Sequence, residues 1–299
     1  MAALPNELPA RDLHEDYSAE ANVFSANLEQ PIQEDIAPTA MLSLDKIGGY
    51  KYQPAGKLQV QGLISYRSGY SQVAGHPSSK RDGFTTLATA VVEDLNILDV
   101  ITADRIVGQI STTHPVYDYD KGFGHVPSVT FLGTRFDNLR ISGHKVEVER
   151  NLHILGPRPE RDRSYFEDDN VFKRLAHQFA NIHRTPDLPD WASEDLAWNE
   201  DEVRNNGEMK LSLVNSISGA PGTTFGHVID LPHFGKIFLG ELTVKREKTQ
   251  DPKKEPDRYS FHLNMVRTKL GCLAHGDATA VALDSNGTGS KSKKGGGGK

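Results

Sequence analysis

Apolar residues recur at every second position through most of this chain, and no other feature confines its fold as tightly. Side chains alternate between the two faces of an extended strand, so this spacing marks strands with one buried face. In KLQVQGLISY, Leu58, Val60, Gly62, Ile64 and Tyr66 share a face. ITADRIVGQIST aligns Ile106, Gly108, Ile110 and Thr112, SVTFLGTRF aligns Val129 and Phe131, and HKVEVER aligns Val146 and Val148. MKLSLVNSI aligns Leu211, Leu213, Asn215 and Ile217, and GKIFLGELTVKR aligns Phe238, Gly240, Leu242 and Val244. RYSFHLNMVRTKL aligns Tyr259, Phe261, Leu263 and Met265, and DATAVAL closes the set. GFTTLATAVVEDL is apolar or small on both faces, as in a strand covered on both sides. With Gly, Pro, Asn and Asp at the joins, these segments predict a mostly β protein. The architecture expected is a β-sandwich or irregular barrel of about nine strands.

One segment departs from the two-residue period. In DDNVFKRLAHQFANIHR, Phe172, Leu175, Ala176, Phe179 and Ile182 recur at helical spacing, behind a cap supplied by Asp168, Asp169 and Asn170. Pro186 and Pro189 stop the helix. Residues 156–208 therefore form a helical insertion, which holds both tryptophans, Trp191 and Trp198. The β-domain is expected in two parts, 41–155 and 209–284, on either side of it. Residues 1–40 are acidic and weakly periodic and read as an extended or disordered arm. The Gly/Ser/Lys stretch 285–299 reads as a disordered tail.

The chain of 299 residues carries a net charge of −6, which argues against general nucleic-acid binding. No stretch approaches the roughly 20 apolar residues of a membrane span. The first residues lack the basic and apolar regions of a signal peptide, so the chain as written reads as cytoplasmic. A single cysteine, Cys272, excludes an intrachain disulfide and reads as a small buried hydrophobe.

Four blocks resemble, in order, stretches of the choice-of-anchor family of bacterial surface proteins. They are TTLATAVVEDLNILDVITADRI, TFLGTRFDNLRISGHKVEV, IDLPHFGKIFLGEL, and the pair YSFHLNMVRTKLG and GDATAVAL. Together they span roughly residues 84–155 and 209–283. The resemblance implies a β-rich surface or structural role, outside the cell or on its surface, and carries over no catalytic residues.

The loop THPVYDYDKGFGH gathers His114, Asp118, Asp120 and His125. Aspartates at i and i+2 beside a glycine suit an oxygen-coordinating loop for calcium, and the flanking histidines suit another divalent cation. The plainer reading is a solvated hairpin tip, because the spacing matches no defined metal motif and no other cofactor is indicated. His177 and His183, six residues apart, fall on different helical faces and cannot share a metal, with His177 on a solvated face; His227, His233 and His262 are isolated and read as hydrogen-bonded structural histidines. SGAPGTTFG lacks the Lys-Ser/Thr end of a phosphate loop, and no nucleophile elbow, zinc-protease or dinucleotide motif occurs.

The balance points away from an enzyme, towards a non-enzymatic structural, surface or binding module that self-associates or takes a protein partner. A hydrolase or isomerase using a pair such as His114 and Asp118 in a barrel mouth is the first alternative. A subunit of an ordered polymer, with its N-terminal arm added to a neighbour's sheet, is the second.

Overall fold

The computed structural model describes residues 13–30, 32–44, 48–77, 83–115, 126–160, 163–183, 188–249, 257–271 and 274–291. The chain opens with β1 (Leu13–Gln30), β2 (Glu34–Thr39), β3 (Leu42–Ser43), β4 (Gly49–Ala55), β5 (Leu58–Val60), β6 (Ile64–Tyr66) and β7 (Ser68–Pro77). The long hairpin β8 (Gly83–Ile97) and β9 (Ile101–Pro115) follows. Then come the short strands β10 (Ser128–Thr130), β11 (Arg135–Asp137), β12 (Arg140–Ile141), β13 (His144–Lys145) and β14 (Glu147–Arg150). The insertion carries α1 (Asp169–His183), α2 (Asp190–Asp195) and α3 (Glu200–Asn206). The chain resumes with β15 (Glu208–Ser212), β16 (Val214–Ser218), β17 (Thr223–Phe225), β18 (Val228–Leu231), β19 (Gly235–Glu247), β20 (Arg258–Leu270) and β21 (His275–Lys291).

These strands make a mostly β, sandwich-like fold. The first sheet runs β17-β18-β19-β20-β21-β1-β2, with β15 on β19 and β3 on β1. The second runs β13-β12-β9-β8-β6-β5, with β7 joining β4 to β8 and with β10 and β11 on β9. The two sheets bury one core between them. Met265, Val281 and Leu283 of the first sheet close over Gly108 of the second, where an added Cβ would stand 2.6 Å from Val281 Cγ1. Only glycine fits there, because packed interiors leave no such spare volume.

The ends of the chain depart from expectation. Residues 13–30 are not a free arm. They form a strand between β21 and β2, with Tyr17, Ala19, Ala21 and Val23 buried. Their inward residues are mostly small, so the alternation is faint in sequence although the burial is complete. For residues 285–291 disorder is likewise corrected, because β21 continues to Lys291 and Ser285 is wholly buried; the rest of the expected tail, 292–299, lies outside the described residues. On the side away from β21, β3 and β2 pair with β1 between Glu20 and Leu28, so that stretch offers no free edge to a neighbour's sheet.

A second departure creates the space used below. Pairing of β19 with β20 steps from Leu239–Val266 to Glu241–Asn264, with Gly240 at φ +62°. In β21, Val281 takes φ +60°, and the pairing on both of its sides steps from Ala280 to Ala282. A β-branched residue is rarely found there, and Val281 is held in place by its seat over Gly108. This row exchanges the faces of the strands. Phe238 therefore lies on the opposite face from Leu242 and Val244, contrary to the simple alternation.

The insertion packs on that outer face. Asp168 caps α1 by accepting from Asn170 N at 2.8 Å. Val171, Phe172, Leu175, Gln178, Phe179 and Ile182 are buried along its length. Gln178 fastens helix to sheet: its amide donates to Ser212 O (2.9 Å) and Val214 O (3.2 Å), and its oxygen accepts from Ser212 N (3.1 Å). Arg246 fastens the start of the insertion, donating to Asp257 at 2.7 Å, Glu167 at 2.8 Å and Ser164 at 2.9 Å. Trp191 donates to Asp230 at 3.2 Å and meets Phe225 edge-on.

Candidate functional site

The sequence directs attention first to His114, and the structure places it inside the sandwich, 1% exposed. Its Nε2 meets Thr112 Oγ1 at 2.9 Å. Thr112 also meets Thr86 at 2.6 Å and Ser285 at 2.8 Å, and Thr86 meets Ser285 at 2.9 Å. Tyr17, stacked on Phe84 at 4.5 Å, tilts against the imidazole. Burial lowers the His114 pKa to about 3, against an opposing pull from the Gly287 backbone, so the ring is neutral at pH 7. This closed knot of hydroxyls joins the two sheets. Asp118, Asp120 and His125, the other members of the expected metal loop, lie outside the described residues, as does Cys272. Among the described residues, no three His, Cys, Asp or Glu side chains are grouped to hold a metal.

A different place has the form of a site. Between the insertion and the outer face of the first sheet lies a cleft of about 250 Å³. Phe179 of α1, with Leu196 and Ala197 after α2, forms its apolar wall. Phe179 is stacked on Trp198 with centroids 5.7 Å apart, which stiffens that wall. The floor is strand: Lys210 of β15, His227 before β18, Phe238, Glu241 and Thr243 of β19, and Asn264, Arg267 and Lys269 of β20. Gly226, at φ +59°, lets α1 approach closely, since a Cβ there would stand 2.7 Å from Ile182. The face exchange at Gly240 brings Phe238 and Arg267 onto the same side as Glu241 and Asn264.

The electrostatics of the floor are specific. Arg267 and Glu241 form a bidentate pair, Nε to Oε2 at 2.6 Å and Nη2 to Oε1 at 2.7 Å. The guanidinium sits 3.9 Å above the Phe238 ring. His227 is 5% exposed, and its Nδ1 has no hydrogen-bond partner. Burial lowers its pKa to about 4, with Glu241 raising it and Arg267 lowering it, so it too is neutral at pH 7. Lys210 is mostly exposed; its carboxylate neighbour Glu208 is 3.9 Å away and lies closer to Lys245, at 3.2 Å. Beside the cleft, His262 Nδ1 meets Asp284 at 2.6 Å, and that bond raises its pKa.

Sequence reasoning treated His227 and His262 as isolated and did not single out Glu241, Asn264 or Arg267. No linear signal could have joined them. They come from separate strands, and the wall comes from the insertion. The arrangement can hold a small molecule between an apolar wall and a charged, hydrogen-bonding floor. Its one lining carboxylate is committed to Arg267.

No helix among the described residues is long and apolar enough to cross a membrane. Comparison with curated proteins and with solved structures gives no match. A family model does match, over residues 16–245, from within β1 to within β19; β20 and β21, which join those two strands in the sheet, lie beyond the match. The chain belongs to the family described as a domain of unknown function, DUF8256.

Proposed function

We propose that this protein is a non-enzymatic β-rich binding module whose ligand seat is the cleft beneath the helical insertion. One observation carries the reading: a buried, neutral histidine with an unpartnered Nδ1 lines an open cleft between an aromatic wall and an ion-paired floor. Ligand pockets of this kind are concave and largely apolar, with a few converging polar groups. Glu241 is held by Arg267, and His227 stays neutral down to about pH 4, so the two do not form a general acid–base pair at neutral pH. The resemblance to choice-of-anchor proteins supports the same direction, recognition rather than chemistry. The alternative of a hydrolase centred on His114 finds less support, because that ring is enclosed and its Nε2 is engaged by Thr112.

The test is a screen of small metabolites by thermal shift, followed by tryptophan fluorescence of a Trp191→Phe variant. That variant leaves Trp198, stacked on the cleft wall, as the only tryptophan. Compounds that raise the melting temperature should also change Trp198 emission. A screen in which no compound does both would overturn the reading.

A further inference from the structure

The polar groups of the cleft indicate what it takes. Three cationic side chains line it, Lys210, Arg267 and Lys269, against one lining carboxylate, Glu241. This local excess stands out in a chain whose net charge is −6. Acidic neighbours lie outside the lining: Glu208 beside Lys210, and Asp277 across the ladder from Lys269. Two unpartnered ring nitrogens add to the pattern. One is His227 Nδ1. The other is the buried indole N–H of Trp198, past Ala197, where a shallower groove continues from the cleft. An indole nitrogen is only a donor, and a neutral imidazole presents N–H on one of its nitrogens. Buried donors without acceptors are rare, and a ligand oxygen would satisfy the indole N–H and, in the tautomer that carries its proton on Nδ1, His227 as well. The rest of the wall is hydrocarbon: Phe179, Leu196 and Phe238. The volume, about 250 Å³, is below the roughly 300 Å³ at which drug-sized pockets begin.

We propose that the ligand is a small organic anion, a carboxylate or phosphate monoester on a compact apolar body such as an aromatic ring. This rests on the cleft being the ligand seat and adds the class of molecule it takes. The apolar body lies against Phe179 and Phe238. The anionic head faces Lys210 and the Arg267 edge of the floor. Arg267 stays oriented by Glu241, so its position does not depend on the ligand.

Four probes of similar size separate the terms: benzoate, phenyl phosphate, benzamide and benzyl alcohol, titrated calorimetrically into the full chain. At least one anion should bind tenfold or more tightly than both neutral probes, and comparison of the two anions assigns the head group. Raising salt from about 50 to about 500 mM should weaken the anion and leave the neutral probes unchanged. Lys210→Ala, at a mostly exposed position that folding tolerates, should weaken the anion several-fold. Lys145→Ala, on the other sheet, should not. Benzamide binding as tightly as benzoate would overturn the anion assignment and leave the cleft reading intact. So would failure of all four probes when the metabolite screen has produced a hit. Failure of both experiments would remove the two readings together.

Discussion

Two buried histidines define the contrast in this molecule. His114 and His227 are both neutral at pH 7, because burial makes the charged ring costly in each place. Their surroundings differ. At His114, hydroxyls from β8, β9 and β21 close around the ring and complete one another's hydrogen bonds. Nδ1 lacks a hydrogen-bond partner in both rings, but only at His227 does an open cleft adjoin the ring and separate the floor from the helical wall. A depressed histidine pKa therefore does not distinguish a structural centre from a binding site. Open volume beside the ring does.

The sharpest way to break the contrast is to remove the wall of the open site. Phe179 is 6% exposed and stacked on Trp198, so Phe179→Ala should cost roughly 3–5 kcal/mol by thermal or urea denaturation. Unchanged stability would mean that the insertion is not packed as described. On the closed side, Thr112→Val keeps the shape but removes the hydroxyl shared by Thr86, Ser285 and His114. It should cost about 1–3 kcal/mol and leave ligand binding in the cleft untouched. A change in binding from this variant would show that the two regions are coupled.

Acid distinguishes the two histidines by a smaller effect. An unfolded histidine titrates near 6.5, and the folded values are about 3 for His114 and about 4 for His227. Between those limits the unfolded chain binds more protons, so stability falls as pH is lowered. The contribution is fully present above about pH 6.5. For His227 it declines down to about pH 4, and for His114 down to about pH 3. Urea titrations at stepped pH should show a shallower decline between about 6.5 and 4 for His227→Gln. An identical slope would mean that His227 is not buried as described. The smallest effect concerns the metal loop. With the His114 Nε2 engaged by Thr112, calcium, zinc and chelator should all leave the melting temperature unchanged, and so should the double change Asp118→Asn with Asp120→Asn. A rise with metal that chelator reverses would restore the loop as a cation site.

Much of this architecture can be read in the sequence. The β8–β9 hairpin follows from its alternation and helix α1 from the spacing of Phe172, Leu175, Phe179 and Ile182 behind Asp168. β1 escapes notice because Ala19 and Ala21 give little apolar signal while being fully buried. His114 can be picked out as a candidate, but its surroundings depend on Thr86 and Ser285, distant in the chain. The cleft is less legible still. It depends on a change of strand face at Gly240 that no two-residue period reveals, and on a helix contributed by an insertion.

The long ladder between β1 and β21 has a consequence for how the molecule is made. Tyr17 pairs with Gly287 and Asn27 with Asp277, so an early-synthesised strand finds its principal partner only after nearly everything between has emerged. Contacts so distant in sequence slow folding, and an unpaired strand is prone to aggregate meanwhile. On the ribosome, the β8–β9 hairpin can form from neighbouring residues, while its facing sheet stays incomplete until β21 arrives. Production of this protein should therefore respond more to lowered temperature and chaperone supply than its final stability would suggest.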